Sequence, residues 1–352
     1  MIKINHWYCI ATFASLFLII NGRSVHRPVD PKDPIITVYW VHDSLKKYHF
    51  RETHLPEALF KLYDSEYFSE RLLPEGALQY RYEPEKTVSG AILSALIEEL
   101  IIEIKNLKKR QRKIEFRNFR ILKKRDVNKR NHTGLYVVEF KDYPFILKLF
   151  VETPEGITNP IDKGFEPICF YYLAGLSRHF NGFSRIKNLE NIKKIVQGNA
   201  YWANKVGFPR KWFWLPAQPQ WISIEGKNIG TQKHAMTTIP AIYGIICDKI
   251  LWQKPFTLYD PNDREQAIAL SNFLEQRIDS HINNFGIEIQ TGHIVPIDFE
   301  HFITAVGIEE NCICNNYFEW YTHLTGKMVK RLLFQNKYKR RKAQYKPFKP
   351  II

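Results

Sequence analysis

Three residues in the C-terminal part of the chain stand at spacings that suit phosphate chemistry. Asp279 is followed five positions later by Asn284, and Asp298 arrives after an intervening Gly292 turn. Phosphoryl transfer asks little covalent help of a protein. It needs positioned phosphates, one or two divalent ions, and a carboxylate beside the attacking hydroxyl. Mg²⁺ takes hard oxygen ligands and keeps several waters. Asp298 and Asn284 would supply such oxygens, and Asp279 would sit beside the acceptor hydroxyl. Far upstream, Lys148 interrupts the apolar run Phe145-Ile-Leu-Lys-Leu-Phe150. An ammonium in such a strand needs a partner or a solvated edge, since an unpaired buried charge is strongly unfavourable. Lys148 would neutralise phosphate charge.

Several elements must position these groups. Asp260-Pro-Asn-Asp263 has N-capping chemistry and opens a helix whose apolar residues Ala267, Leu270, Phe273, Leu274 and Ile278 run up to Asp279. Two strands, 285–289 and 293–297, turned at Gln290-Thr-Gly292, then return Asp298. Upstream, segments 119–123, 135–140 and 145–150 predict an antiparallel meander with Lys148 on its last strand. Glu166 and Pro167 open a further helix, so Glu166 is the acid predicted for Lys148, with Asp162 competing. A helix is expected over 189–206, strands over 211–224 and 235–242, and a crossing between two lobes over 236–246. The clearest helix is 87–113, capped by Ser89, with apolar residues recurring from Ile92 to Leu107. Its Glu98 and Glu99 read as exposed helix acids. Residues 35–40 read as a short strand, and helical segments are expected near 317–334.

The stretch Asp279-Ser-His281-Ile-Asn-Asn284, followed by Pro296-Ile-Asp298-Phe-Glu300, resembles the catalytic and metal-binding loops of the kinase superfamily. It is most similar to the atypical branch of phosphatidylinositol 3-/4-kinases, whose loops read Asp-Arg-His-x-x-Asn and His-Ile-Asp-Phe-Gly. Ser280, Pro296 and Glu300 depart from that pattern. The resemblance implies an α+β, two-lobed protein-kinase-like fold, with an antiparallel N-lobe sheet and a mainly helical C-lobe. It implies ATP and Mg²⁺ (or Mn²⁺) as cofactors, with Asp279 and His281 in the catalytic loop. Asn284 and Asp298 would bind the metal, Lys148 the phosphates, and Glu166 would pair with Lys148. The corresponding division is 23–115 as an accessory region, 116–242 as N-lobe, and 243–352 as C-lobe with a basic tail.

Composition sets the wider bounds. The 352 residues suffice for two domains, and 45% hydrophobic content with 24 Phe, 18 Tyr and 8 Trp excludes global disorder. Residues 1–22 read as a secretory signal: Lys3, a mostly apolar stretch from Trp7 to Ile20, then Asn21-Gly22. The predicted location is therefore secreted or exported. Five cysteines, one of them within that segment, make no disulfide framework. The net charge of +15 is uneven: 105–130 holds thirteen Lys/Arg, and 320–352 holds ten and no acid. Such runs fit an anionic lipid or protein acceptor and peripheral membrane contact, with nucleic acid a weaker reading. Two rival functions remain. One is a metal-dependent hydrolase built on Asp279, His281, His293, Asp298 and His301. The other is a pseudokinase binding module.

Overall fold

The computed structural model describes residues 35–41, 62–107, 114–122, 134–151, 176–229, 234–275, 277–279, 281–299, 316, 319 and 345–348. In chain order the N-terminal elements are β1 (Ile35–Val41), α1 (Ser65–Ser69), β2 (Ala77–Gln79), β3 (Thr87–Ser89) and α2 (Gly90–Lys105). Next come β4 (Phe119–Ile121), β5 (Leu135–Phe140), β6 (Phe145–Val151), α3 (Leu176–Gln197) and α4 (Ala200–Ala203). The remainder is β7 (Lys211–Trp214), β8 (Trp221–Ile229), β9 (His234–Pro240), β10 (Ile242–Asp248), β11 (Trp252–Pro255), α5 (Pro261–Phe273), β12 (Gly286–Glu288) and β13 (Tyr345–Phe348). The class is mixed α+β.

A five-stranded antiparallel sheet in the order β4-β5-β6-β10-β7 is the centre of the molecule. The expected meander of β4, β5 and β6 is present. The segment expected as a crossing is instead mostly strand, because Ile242–Asp248 pairs with β6 on one side and β7 on the other. Its alternation explains why: Tyr243 and Ile245 fill one face of the sheet, and Ile246 fills the other.

Each face has its own helix. On one, Tyr136, Val138, Phe140, Leu147, Leu149 and Trp214 pack against Leu93, Ile97, Leu100 and Ile104 of α2. On the other, Val137, Phe150, Phe213, Tyr243 and Ile245 pack against Phe180, Phe183 and Ile186 of α3. Successive strand residues face opposite ways. Lys148 therefore shares the α3 face with Phe150, and Lys211 shares it with Phe213. α2 is shorter than the expected 87–113, running from Gly90 to Lys105, and the expected cap Ser89 is in place. Thr87–Ser89 pairs with β2, and the Ser89 side chain accepts from Ala91 N at the true start of the helix. Residues 108–113 lie outside the described residues.

The close approach of α3 to the sheet depends on Gly182. A Cβ there would lie 1.9 Å from the Tyr243 hydroxyl and 2.7 Å from the Phe150 ring. Tyr243 is stacked between Phe150 (4.6 Å) and Phe183 (4.2 Å), and its hydroxyl donates to the His179 carbonyl. Further along, α3 contributes Leu189, Ile192 and Val196 to a third cluster with α5, Phe285, Ile294 and Phe299. One helix thus joins the sheet to the segment carrying the expected catalytic residues.

A second sheet, β13-β1-β8-β9, pairs Tyr345–Phe348 of the basic tail antiparallel to β1. Among the described residues no helix is long and apolar enough to cross a membrane.

Candidate functional site

Lys148 does find a carboxylate, and it is Asp298. Lys148 Nζ lies 3.0 Å from Asp298 Oδ2, joining residues 150 positions apart in the chain. The predicted partner Glu166 and its rival Asp162 lie outside the described residues, as do Glu300 and His301. A second cation reaches the same carboxylate: Arg185 Nη1, from α3, lies 2.9 Å from Asp298 Oδ1. Both oxygens of Asp298 are therefore held, one from the sheet and one from the helix.

Neighbouring backbone is gripped as closely. Lys211 Nζ donates to the Ile297 carbonyl at 3.0 Å. Asn188 Nδ2 donates to the Phe299 carbonyl at 2.6 Å and to the Arg277 carbonyl at 2.7 Å. The Ile297 amide donates to the Asn284 carbonyl at 2.9 Å. The backbone on both sides of Asp298 is thus held by other elements, β7 at Ile297 and α3 at Phe299. The Phe299 ring is fully buried and lies 4.3 Å from the Lys211 ammonium.

The turn at 281–284 is organised by its own side chains. Asp279 Oδ1 accepts from the His281 amide at 3.3 Å, and His281 Nδ1 accepts from the Asn283 amide at 3.3 Å. Asn284 Nδ2 donates to the Asp279 carbonyl at 3.1 Å. Asn284 is therefore tied to Asp279 on one side and to Ile297, beside Asp298, on the other. His281 is exposed and caps the short 3-10 turn Ile282–Asn284. α5 ends earlier than its periodicity predicts: it stops at Phe273, and Glu275 adopts a left-handed backbone (φ 51°). The chain then turns through residues 277–279, anchored by the buried Ile278. The expected hairpin is also shorter. β12 pairs with β11, and Ile294 contributes isolated bridges to Ile287 and Val206 around the left-handed Gly292.

Electrostatics set this site apart from ordinary surface pairs. Lys211 is buried, and that burial, helped by the nearby charge of Lys148, pulls its ammonium down to about 7. The Cys247 thiol, fully buried near Lys211 and Lys148, is pushed up by burial. In low dielectric, ion pairs and charge-assisted hydrogen bonds are worth more than they are in water. The side chains of Lys148 and Asp298 keep 12% and 11% of their surface open to solvent, against 4% for Arg185. A ligand would therefore meet the Lys148–Asp298 pair first.

Three contributors are absent from the sequence expectations: Arg185, Asn188 and Lys211. Arg185 and Asn188 are i and i+3 on one helical face. The helix expected from 189 in fact starts at Leu176, which places both inside it. Lys211 stands at the first position of an expected strand, where a solvated end is the ordinary reading. Only its two-residue spacing from the core residue Phe213 marks it as inward-facing.

Among the described residues no group of three His, Cys, Asp or Glu side chains could hold a metal ion. No protein-family model matches the chain, no curated protein matches it, and no solved structure matches it.

Proposed function

We propose that the chain is an ATP-dependent phosphotransferase of kinase-like, two-lobed architecture that works with Mg²⁺ (or Mn²⁺) on an anionic acceptor. The observation that carries the reading is the 3.0 Å pair between Lys148, on the third strand of the meander, and Asp298 of the Ile-Asp-Phe triplet. Phosphoryl transfer in protein kinases uses a strand lysine for nucleotide phosphates and an aspartate for the metal, held close together. The donor chemistry fits a hard cation. Asp298 offers carboxylate oxygens, and Asn284 spends its amide nitrogen on the Asp279 carbonyl, so its oxygen is the end suited to a metal. A divalent ion bound there would supply charge neutralisation on the phosphate oxygens.

The chain's own residues divide the remaining work. Lys148 binds phosphate oxygens. Asn188 and Lys211 hold the backbone on either side of Asp298 and so set where its side chain begins. Asp279, steadied by the His281 amide, is placed to accept the proton of the attacking hydroxyl. A phosphoinositide or other membrane-associated acceptor suits the basic runs at 105–130 and 320–352, and a protein hydroxyl is the other acceptor class. Export, directed by residues 1–22, belongs to the same proposal.

One observation favours a second reading, a nucleotide-binding module without transfer. Among the described residues, α3 brings Arg185 to the carboxylate that Lys148 holds. One experiment separates the two. Wild-type protein and Asp298→Ala are offered Mg-ATP in a thermal-shift assay, then labelled ATP with lipids, proteins and sugars in parallel. The phosphotransferase predicts a stabilising shift whose Mg²⁺-dependent part the variant loses, with label passing to one acceptor class. An equal shift in both proteins removes the site assignment. Binding without transfer to any class leaves the module reading.

A further inference from the structure

We propose that Arg185 is a phosphate-binding residue of this site. With Lys148 it forms a two-cation clamp that takes the polyphosphate of a nucleotide directly, in addition to any contact made through a divalent ion. The inference rests on the nucleotide reading above and concerns which side chains hold the phosphates.

The geometry is that of an anion clamp. Lys148 Nζ and Arg185 Nη1 approach different oxygens of one carboxylate, at 3.0 and 2.9 Å, from the sheet and from α3. Two cations that grip neighbouring oxygens of a carboxylate are spaced to grip neighbouring oxygens of a phosphate. A guanidinium carries five N–H donors in a planar fork and matches phosphate better than a point charge does. Its position is also preset. α3 is held by the Gly182 contact with Tyr243 on one side, and on the other Asn188 anchors its next turn to the Phe299 and Arg277 carbonyls. Arg185 would therefore lose little side-chain entropy on binding. Its guanidinium lies 5.9 Å from the centre of the Phe150 ring, a wall that keeps the local dielectric low.

In the phosphotransferase pattern an acid on the helix pairs with the strand lysine and steers it towards phosphate. Here the helix contributes a cation beside that lysine. The consequence is a site whose affinity climbs with ligand charge even when no divalent ion is present.

The test is an affinity ladder of adenosine, AMP, ADP and ATP, measured by calorimetry in EDTA and again with Mg²⁺, for wild type, Arg185→Gln and Arg185→Lys. In EDTA the wild type should bind ATP at least tenfold more tightly than adenosine. Arg185→Gln should reduce that ratio about tenfold while leaving adenosine affinity within twofold, and Arg185→Lys should restore part of it. An unchanged ATP-to-adenosine ratio in Arg185→Gln overturns the proposal, and so does an equal loss for adenosine, which marks a purely structural residue. Should both variants fail to fold, wild-type protein with inorganic tripolyphosphate in EDTA decides. A rise in Tm larger than that given by orthophosphate supports the clamp, and no rise overturns it. Wild type that binds no nucleotide even with Mg²⁺ sinks the nucleotide reading itself. Wild type that binds Mg-ATP but shows no ladder in EDTA sinks only this inference.

Discussion

Two buried carboxylates lie ten residues apart, Glu288 and Asp298, and the protein treats them in opposite ways. Glu288 is 1% exposed and saturated. Arg81 grips it with Nε at 2.5 Å and Nη2 at 3.1 Å, the Tyr82 hydroxyl donates at 2.7 Å, and the Thr291 hydroxyl donates at 2.8 Å. Arg81 also lies 3.6 Å from Asp248, which in turn is held by the guanidinium and the backbone amide of Arg210. Two acids and two arginines thus form a closed cluster. Burial would push the Glu288 carboxyl up, but the hydrogen bonds from Arg81, Tyr82 and Thr291 outweigh it and hold the group below its ordinary value. At Asp298, Lys148 and Arg185 each hold one carboxylate oxygen, and Lys211 holds the preceding carbonyl. A bidentate, saturated pair fixes architecture; a carboxylate shared between cations from two different elements is the arrangement proposed above to accept an incoming anion. The first cluster locks residues 80–82 to the β10 end and the β12 turn. The second is the cluster proposed above to meet a ligand.

Breaking the locked cluster should have the largest effect. Arg81→Ala leaves Glu288 desolvated without its bidentate partner. Removing one member of a buried pair destabilises by roughly 3–5 kcal/mol. Urea unfolding should show the loss as a lower midpoint at unchanged slope, and the ATP-to-adenosine ratio of the surviving folded protein should not move. A fall in that ratio as large as the one expected at Arg185 would erase the distinction between the clusters.

The sheet was largely legible in advance, and the grip on Asp298 was not. The apolar, β-branched and aromatic runs at 135–140 and 145–150 are strong enough to assign strands, and the face that Lys148 takes is fixed by the folded sheet. Asp279, Asn284 and Asp298 stood out because residue types suited to metal binding and proton transfer lie close together in sequence there. α3 carries little amphipathic signal. It buries His179, Asn181 and Arg185 alongside Phe180 and Phe183, and Gly182 sits in its middle. Pattern reading assigns such residues to solvent or to loops, and only tertiary contacts from β6, β10 and the 297–299 segment reverse that. The early end of α5 has a similar origin: Leu274 and Ile278 keep helical spacing, yet the chain leaves the helix at Glu275 to deliver Asp279.

A middle-sized effect comes from the joint between α3 and the sheet. Gly182→Ala puts a methyl group against the Tyr243 hydroxyl and the Phe150 ring, so the helix must shift outwards. Overpacking of this kind costs about 1–3 kcal/mol. Because Arg185 lies one turn further on, the shift should also weaken phosphate-dependent binding, whereas Arg81→Ala should not. Measuring both quantities in both variants sharpens the comparison. A Gly182→Ala protein with wild-type stability would show that the contact with Tyr243 is easily relaxed.

The effect smallest at any one step of the measurement is a change of slope with pH, and it reports on the cation-rich cluster alone. Lys211 titrates near 7 in the fold, against 10.5 for an ordinary lysine, chiefly because it is buried. Between those values the unfolded chain holds a proton that the folded protein has released, so unfolding takes up a proton and stability rises with pH. Below about 7 both states are protonated and the full penalty of burying the charge is present. Above 10.5 both are neutral and the penalty is gone. Lys211→Met removes this dependence. The wild-type minus variant stability difference, followed by urea unfolding from pH 6 to 10, should therefore climb with a slope of at most about 1.4 kcal/mol per pH unit. Groups common to both proteins cancel in that difference. Added tripolyphosphate, by placing negative charge beside the cluster, should move the start of the climb to higher pH, and Arg185→Gln should weaken that displacement. A flat difference across the whole range would mean that Lys211 remains an ordinary ammonium, and that its hydrogen bond to the Ile297 carbonyl is made in the presence of water.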